Sequence, residues 1–416
     1  MQRIVFDEAY QFISPHRGGI WPRVFKPFLK YYLRRSAGIV DYDIRGLDHL
    51  NASLTAGHGI ILAPNHCRPC DPMVMGMLTL RAPTFLHTMA SWHVFKQDWM
   101  TAFIIRRLGA FSIYREGMDR TALNCAIEIL KGAERPLVVF PEGVISRSND
   151  RLSALMDGLG FIARTAAKKR QKQDPQKRVV IHPVALKYEL LTGVRQALHT
   201  GLSDLEHRLC WNVDPERPVY ERVVRLGQAL MSLKEVEYLG LPQTGSIYDR
   251  AQGLIHHLLQ PLEDEWLSGN GDGDVVGRVK RLRSAILPGM VNGDLNEKER
   301  QRRWRQLGDL YLAQQLSLYR RDYLQRSSPR ERLLETVERF EEDLTDAVRV
   351  HGPLKVYLDI GAPIEVPTKR QRDADSDLLI DALEVRLADM LNDLSTEVET
   401  ARAQAEGGVE VEASSG

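Results

Sequence analysis

An α/β chain is expected: a mixed sheet flanked by helices, with a large, mainly helical insertion. Short apolar runs of strand length alternate with helix-length stretches from 40 to 195. From 196 to 353 the chain becomes helical and highly charged, with little strand signal. Strand character then returns at Leu354–Ile360, Leu-Lys-Val-Tyr-Leu-Asp-Ile, close to a period of two. A lone strand after so long a helical block has an unpaired edge unless it rejoins the first sheet, so the block reads as an insertion.

In chain order, Ile60–Ala63 is a buried strand, and Pro72–Leu80 begins a helix with Asp71 at its N-cap. Thr84–Thr88 and Gly109–Arg115 read as short strands and Ala122–Lys131 as a helix. Leu137–Phe140 is a strand, Leu155–Lys169 a helix and Val179–Leu186 a strand, joined by the solvated tract Lys168–Arg178. Pro183 within the last strand implies an edge or a bulge, because proline cannot donate to the ladder. Glu297–Arg326 is a basic helix with Trp304, Leu307, Tyr311 and Leu318 on or near one face; helix packing accounts for it, with a second membrane contact as the alternative. Gly361-Ala-Pro-Ile follows the late strand, and a last amphipathic helix spans about Asp377–Thr396. The organisation is therefore a basic aromatic segment at 1–39, an α/β domain at 40–195 plus 354–400, an insertion at 196–353, and a tail at 403–416. That tail is rich in Glu, Gly and Ser and is expected to be disordered.

The chain has 416 residues, enough for two or three domains or one with a large insertion. Its 56 Lys+Arg nearly cancel 55 Asp+Glu, so no global basic field argues for nucleic acid. Four cysteines fit a reducing compartment rather than a disulfide framework. No apolar run approaches the roughly eighteen residues of a spanning helix. The first residues place acids where a signal peptide would be basic, so a cytoplasmic chain is expected. Cys67-x2-Cys70 lacks a second ligand pair, and Gly269–Asp274 has two acids and no terminal Glu, so no metal site is read from either.

Residues 15–37 are locally anomalous. Arg17, Arg23, Lys26, Lys30, Arg34 and Arg35 occur with no acid between Ala9 and Val40, interleaved with aromatic residues. Trp21, Phe25, Phe28 and Tyr32 step by helical intervals, and Pro27 kinks or restarts that helix. Such a segment suits a bilayer surface; a helix docked on the core with a solvated basic side is the plainer alternative.

Four short stretches carry chemistry. Asn65-His66 follows directly on the Gly59–Pro64 strand, and Asp71 comes five residues after the histidine. A carboxylate accepting from one ring nitrogen fixes the tautomer and leaves the other nitrogen to take a proton from a hydroxyl. A loop histidine beside an ordinary N-cap would look the same. Gly109 to Arg115 ends in a bidentate partner for phosphate. Phe140-Pro141-Glu142-Gly143 ends the next apolar strand, with Ser146 and Arg147 in the loop behind it. Pro183 lies in the strand that follows. No Gly-x-Ser-x-Gly elbow or phosphate-binding Walker loop occurs.

Taken in this order, the four resemble the glycerophospholipid acyltransferases of the 1-acylglycerol-3-phosphate acyltransferase-like, His-x4-Asp type. The resemblance covers about residues 40–190 plus Leu354–Pro363, and implies the glycerolphosphate acyltransferase-like α/β fold. It implies that His66 is the general base, with Asp71 its partner. Asn65, Gly109, Arg115, Phe140, Pro141, Glu142, Gly143, Ser146, Arg147 and Pro183 would shape the substrate site. The acyl donor would be the thioester of acyl-CoA or acyl carrier protein, used as co-substrate with no further cofactor. The acceptor would be lysophosphatidate or a related lysophospholipid, and the protein would sit peripherally on the anionic cytoplasmic face of a membrane. The third stretch departs from the family's Phe-Pro-Glu-Gly-Thr-Arg-Ser: Val144-Ile145 stand for Thr-Arg, and the next arginine, Arg147, is displaced by two positions. A different lipid acceptor, or a lipid-binding scaffold of the same fold, are the competing expectations.

Overall fold

The apolar runs Gly59–Pro64 and Val179–Leu190 are buried along almost their whole length, and the sheet is built around them. The computed structural model of the chain describes residues 6–293, 295–347, 349–370 and 377–413, with backbone alone at 292 and 403–413. The first part comprises α1 (Ile20–Phe25), α2 (Leu29–Ala37), β1 (Ile39–Arg45), α3 (Leu47–Thr55), β2 (Gly59–Pro64), α4 (Asp71–Met75) and β3 (His87–Ser91). It continues through α5 (Trp92–Phe95), α6 (Trp99–Leu108), β4 (Ala110–Ile113), α7 (Arg120–Gly132), β5 (Leu137–Val138), α8 (Gly158–Gln173) and β6 (Val179–Leu190). The helices α9 (Val194–Arg208), α10 (Val219–Leu239), α11 (Ile247–Leu267), α12 (Val275–Asn292), α13 (Glu297–Ser317) and α14 (Arg330–Thr345) follow. The chain closes with β7 (Leu354–Ile360), β8 (Ile364–Glu365) and α15 (Leu378–Ala413).

The strand order is β1-β7-β6-β2-β5-β3-β4, with β8 beside β6. β2 runs parallel to β5 and β6, and β3 parallel to β4 and β5. β7 lies between β1, to which it is parallel, and β6, to which it is antiparallel, so the sheet is mixed. The chain thus returns to its first sheet after the helical block. Successive residues of β2 alternate between two cores, Ile60 and Leu62 in one, Ile61 and Ala63 in the other. A strand buried on both faces needs an unbroken apolar run, which is why Gly59–Pro64 shows no polar alternation.

Several elements differ from the sequence reading. Pro183 is at neither an edge nor a bulge: it pairs with Ala63 in the sheet interior. On its other side it falls in the gap between β7, whose last residue Ile360 pairs with Val184, and β8, which pairs Val180 and Ile181. No ladder partner needs its missing N–H there, and its carbonyl still accepts from Gly361 N at 2.9 Å. Asp71 is the first residue of α4 rather than its cap, a position held by Cys70, and the helix tightens into a 3-10 turn over Gly76–Leu80. β3 starts at His87, not Thr84, where its N–H meets Pro136 O. α13 stops at Ser317, and α15 runs to Ala413 across most of the tail expected to be disordered; Ala403, Gln404, Ala405 and Glu406 are good helix formers, whereas Gly407 and Gly408 are not. Residues 414–416 lie outside the described residues.

The helical block is two structures in packing terms. α9, α14 and the first half of α10 join the core on one face of the sheet through Leu198, Leu202, Val223, Leu334 and Val337. α11, α12, α13 and Met231 of α10 build a separate core around Leu254, Leu282 and Leu310. Among the described residues no helix is long and apolar enough to cross a membrane.

Pro27 sits in a 3-10 turn joining α1 and α2. Pro22, Leu29 and Leu33 dock this pair on the core, while Ile20 (70% exposed), Val24, Phe28 and Tyr31 (71%) face outward. The expected stripe therefore splits: Trp21 and Phe25 stack on each other, half-buried, at 5.9 Å, and Phe28 and Tyr32 stay exposed. Trp21 also meets Phe103 of α6 edge-on at 5.4 Å. The apolar surface thereby continues onto Trp99 (79% exposed), Met100 and Phe103.

Candidate active site

Because β2, β3, β4 and β5 are mutually parallel, their C-terminal ends open on one edge, where ligand crevices of α/β sheets form. The segments that follow β2, β4 and β5 carry His66, Arg115 and Glu142 to this edge. β6 runs on past the end of β2, and two side-chain amides complete its ladder there. Asn65 Nδ2 donates to Leu186 O (3.0 Å) and Leu186 N to Asn65 Oδ1 (2.7 Å). Asn149 does the same at Tyr188, at 2.6 and 2.7 Å. Both asparagines are buried, so their bonds fix the two loops to the strand.

His66 Nδ1 lies 2.9 Å from Asp71 Oδ2. The same oxygen accepts from Arg68 N at 2.8 Å, while Oδ1 accepts from the Tyr188 hydroxyl at 2.5 Å. Asp71 is fully buried, so these donors, not water, hold its carboxylate and through it the imidazole plane. The Phe140 ring covers the imidazole at 4.1 Å between centroids. His66 Nε2 has no protein partner among the described residues, and the ring lines a cleft of about 2420 Å³. This arrangement sets one ring nitrogen to accept a proton from a hydroxyl in the cleft.

Glu142 is buried beneath the same loop. Its Oε1 accepts from His66 N (2.6 Å) and its Oε2 from Ser153 N (2.9 Å). Burial pushes this carboxyl up to about 7 despite the two N–H bonds. Gly143 turns the chain with φ +67°, and a Cβ there would collide with Met156 Sδ. Its carbonyl accepts from Arg115, which joins the second and third stretches. Ser146 donates from both N (2.7 Å) and Oγ (3.0 Å) to His66 O, a positioning contact behind the histidine.

The cleft contains His66, Arg115, Phe140, Pro141, Glu142 and Gly143, but not the remaining sequence-derived residues. Asn65 and Pro183 belong to the sheet. Gly109 closes α6 at φ +110°, with Leu86 O 2.6 Å from where a Cβ would lie. Arg147 is directed away: its backbone is left-handed at φ +58°, its guanidinium pairs with Glu342 of α14, and with Ser146 it lines a separate small pocket. Val144 and Ile145, the residues in place of Thr-Arg, line the main cleft and make it more apolar there. Cys67 and Cys70 pack against Asp71 and Tyr188, and burial pushes both thiols up, Cys70 to about 11. Among the described residues no His/Cys/Asp/Glu cluster could hold a metal ion.

Two features had no sequence signal. Tyr188 lies two residues beyond the expected end of its strand, and only the fold brings it to Asp71. The helix α12 also lines the cleft, bringing Lys280, Arg281 and Arg283 from the insertion. At its other end the cleft reaches Phe25, Phe28, Leu29 and Tyr32 of the N-terminal helices.

The site is thus a histidine–carboxylate pair at a strand end, opening on a largely apolar cleft with cations in its wall. Residues 42–187 match the family model described as Acyltransferase, a stretch running from β1 to one residue short of Tyr188. The match supports an acyltransferase enzyme acting on a lipid-type acceptor. No curated protein matches the chain.

Proposed function

We propose that the protein is a 1-acylglycerol-3-phosphate acyltransferase-like O-acyltransferase, moving a fatty acyl group from an acyl thioester to lysophosphatidate or a related glycerol-phosphate lipid. The observation that carries this reading is the His66–Asp71 pair, with Nε2 free on the wall of an apolar cleft. His66 Nε2 takes the proton of the acceptor hydroxyl as its oxygen attacks the thioester carbonyl. Asp71 accepts from Nδ1–H and stabilises the imidazolium. The tetrahedral adduct collapses, the C–S bond breaks, and the thiolate leaves with the proton held on Nε2. Arg115 lines the same cleft as His66, is held by Gly143 O, and suits the acceptor's phosphate. The donor is acyl-CoA or an acyl carrier protein thioester, and no further cofactor takes part.

The exposed Ile20, Val24, Phe28, Tyr31, Trp99 and Met100, bordered by Arg23, Lys26, Lys30 and Arg34, suit an anionic bilayer surface. Phe28 and Tyr32 belong both to that surface and to the cleft wall, which supports entry of a lipid acceptor from the membrane. A peripheral position on the cytoplasmic face follows from this reading. The withdrawal of Arg147 favours a second reading, an acceptor without phosphate. An acceptor panel separates the two: with one acyl-CoA, lysophosphatidate is expected to be acylated in preference to mono-oleoylglycerol. Equal or reversed preference would overturn the phosphate-bearing acceptor, and no acylation of any lysolipid would overturn the enzyme.

A further inference from the structure

Burying a guanidinium is costly unless acceptors surround it. Each of the other arginines with at least nine-tenths of its surface buried holds at least one acceptor, although one nitrogen of Arg135, of Arg170 and of Arg339 is also without a partner. Arg170 donates to the carbonyls of Gly57, Leu130 and Lys131, Arg135 to that of Arg17, and Arg339 to that of Gln315. Arg222 makes a two-pronged ion pair with Glu206. Arg283, in the middle of α12, is only 7% exposed, yet its Nε and Nη2 are buried with no hydrogen-bond partner. It makes no ion pair among the described residues, although its helix neighbour Arg278 is paired bidentately with Glu263.

Arg283 is one of the residues lining the cleft that contains His66. The charges that act on it most are Glu116, which is not in ion-pair contact, and Arg115. Arg115 and Arg283 line the same cleft, and two guanidiniums that act on each other repel unless an anion offsets them. His93, also in the wall, is held neutral by burial and by these same two arginines, its imidazole pushed down to about 4. Glu116, also in the wall, is the one acid that acts on both arginines, and it makes no ion pair with either among the described residues. Arg147, expected from the sequence to serve the site, is engaged elsewhere.

We propose that Arg283 and Arg115 form a composite site for the phosphate group of a substrate, in which the helical insertion supplies the second guanidinium. The assignment of that phosphate to a lipid acceptor rests on the function proposed above. The phosphates of a coenzyme A donor share the same chemistry, and the test distinguishes the two sources.

The experiment is equilibrium binding, without turnover, of oleoyl-lysophosphatidate, mono-oleoylglycerol and coenzyme A to the full chain and to Arg283→Met and Arg283→Lys, with thermal melting of each. Arg283→Met is expected to weaken lysophosphatidate about 10- to 100-fold, the loss of charge-assisted hydrogen bonds. Mono-oleoylglycerol binding should be unchanged. Its melting temperature should equal or exceed that of the wild type, because an unpaired buried charge has been removed, and Arg283→Lys should restore part of the affinity. A loss confined to coenzyme A would keep the phosphate site and assign it to the donor. Unchanged binding of both phosphate ligands overturns the proposal. So does a lowered melting temperature with equal loss of mono-oleoylglycerol, which would mark Arg283 as structural. His66→Ala should keep the preference for lysophosphatidate over mono-oleoylglycerol that Arg283→Met loses. Phosphate binding that survives in a protein without transferase activity would overturn the proposed function and leave this site standing.

Discussion

In the α/β layer the polar groups around the site are tied to the backbone. Asn65 binds Leu186, Asn149 binds Tyr188, and Glu142 binds the N–H groups of His66 and Ser153. In the helical insertion, buried charge meets buried charge: Arg222 with Glu206, Arg250 with Glu235, Arg278 with Glu263. The difference follows from what each kind of element leaves unpaired. A helix interior consumes its own N–H and C=O groups, so a buried side chain between helices must find another side chain. The ends of parallel strands leave amides and carbonyls free, and polar side chains there are oriented by the main chain itself. The two halves also meet at the site. α14 reaches the loops of the candidate site through Glu338 with Arg68, Glu342 with Arg147 and Arg332 with Asp150. The insertion thus braces those loops as well as walling the cleft.

The largest effect expected on the sheet side is His66→Ala, which should lower kcat about 100- to 10,000-fold with little change in melting temperature. Retained turnover in that variant would remove the base from the mechanism. On the insertion side, Glu206→Leu strands Arg222 without its partner and should cost about 3–5 kcal/mol in denaturant unfolding. Asn65→Ala, which leaves only main-chain groups unpaired, should cost less, about 1–3 kcal/mol. Equal costs would erase the contrast between the two halves.

Two smaller effects sharpen it. Burial raises Glu142 and Glu335 from the ordinary 4.5 to about 7, so the folded chain holds two protons there that the unfolded chain releases near pH 4.5. The unfolded state then binds fewer protons between those values, and stability should fall as pH rises through about 4.5 to 7 and level off above. Glu142→Gln should flatten part of that slope; an unchanged slope in both Glu142→Gln and Glu335→Gln would mean that other groups set it. Tyr188→Phe removes one donor from Asp71 and should lower kcat about tenfold while leaving KM for the acceptor unchanged. At the surface, Phe28→Glu with Tyr31→Glu should reduce liposome association more than catalysis on a detergent-dispersed acceptor. Deleting the whole segment is a poorer test, since Leu29 and Leu33 belong to the core.

Much of the α/β layer was legible because its signals are local. β2 and β6 are continuous apolar runs, and the first three short stretches each reach a strand end where the chain must turn. His66, Asp71, Arg115 and Glu142 could be singled out for that reason. Arg147 misled, because nothing in Val144–Arg147 indicates that Glu342, nearly two hundred residues on, would draw its side chain away. From the sequence Pro183 implies an edge or a bulge, because pairing gaps depend on where β7 and β8 fall, which is non-local. Tyr188 and Arg283 were invisible for the same reason: a tyrosine near a strand end and an arginine in a basic helix gain meaning only from what the fold sets opposite them.

The measurement that bears most directly on the proposed chemistry is product analysis with purified protein, lysophosphatidate and oleoyl-CoA or oleoyl-acyl carrier protein. Thiol release and lipid product are followed together, beside His66→Ala. Equimolar thiol and phosphatidate are expected from the wild type on at least one donor, and neither from the variant. Phosphatidate formed equally by both proteins, or by neither on either donor, would contradict His66-based acyl transfer to lysophosphatidate.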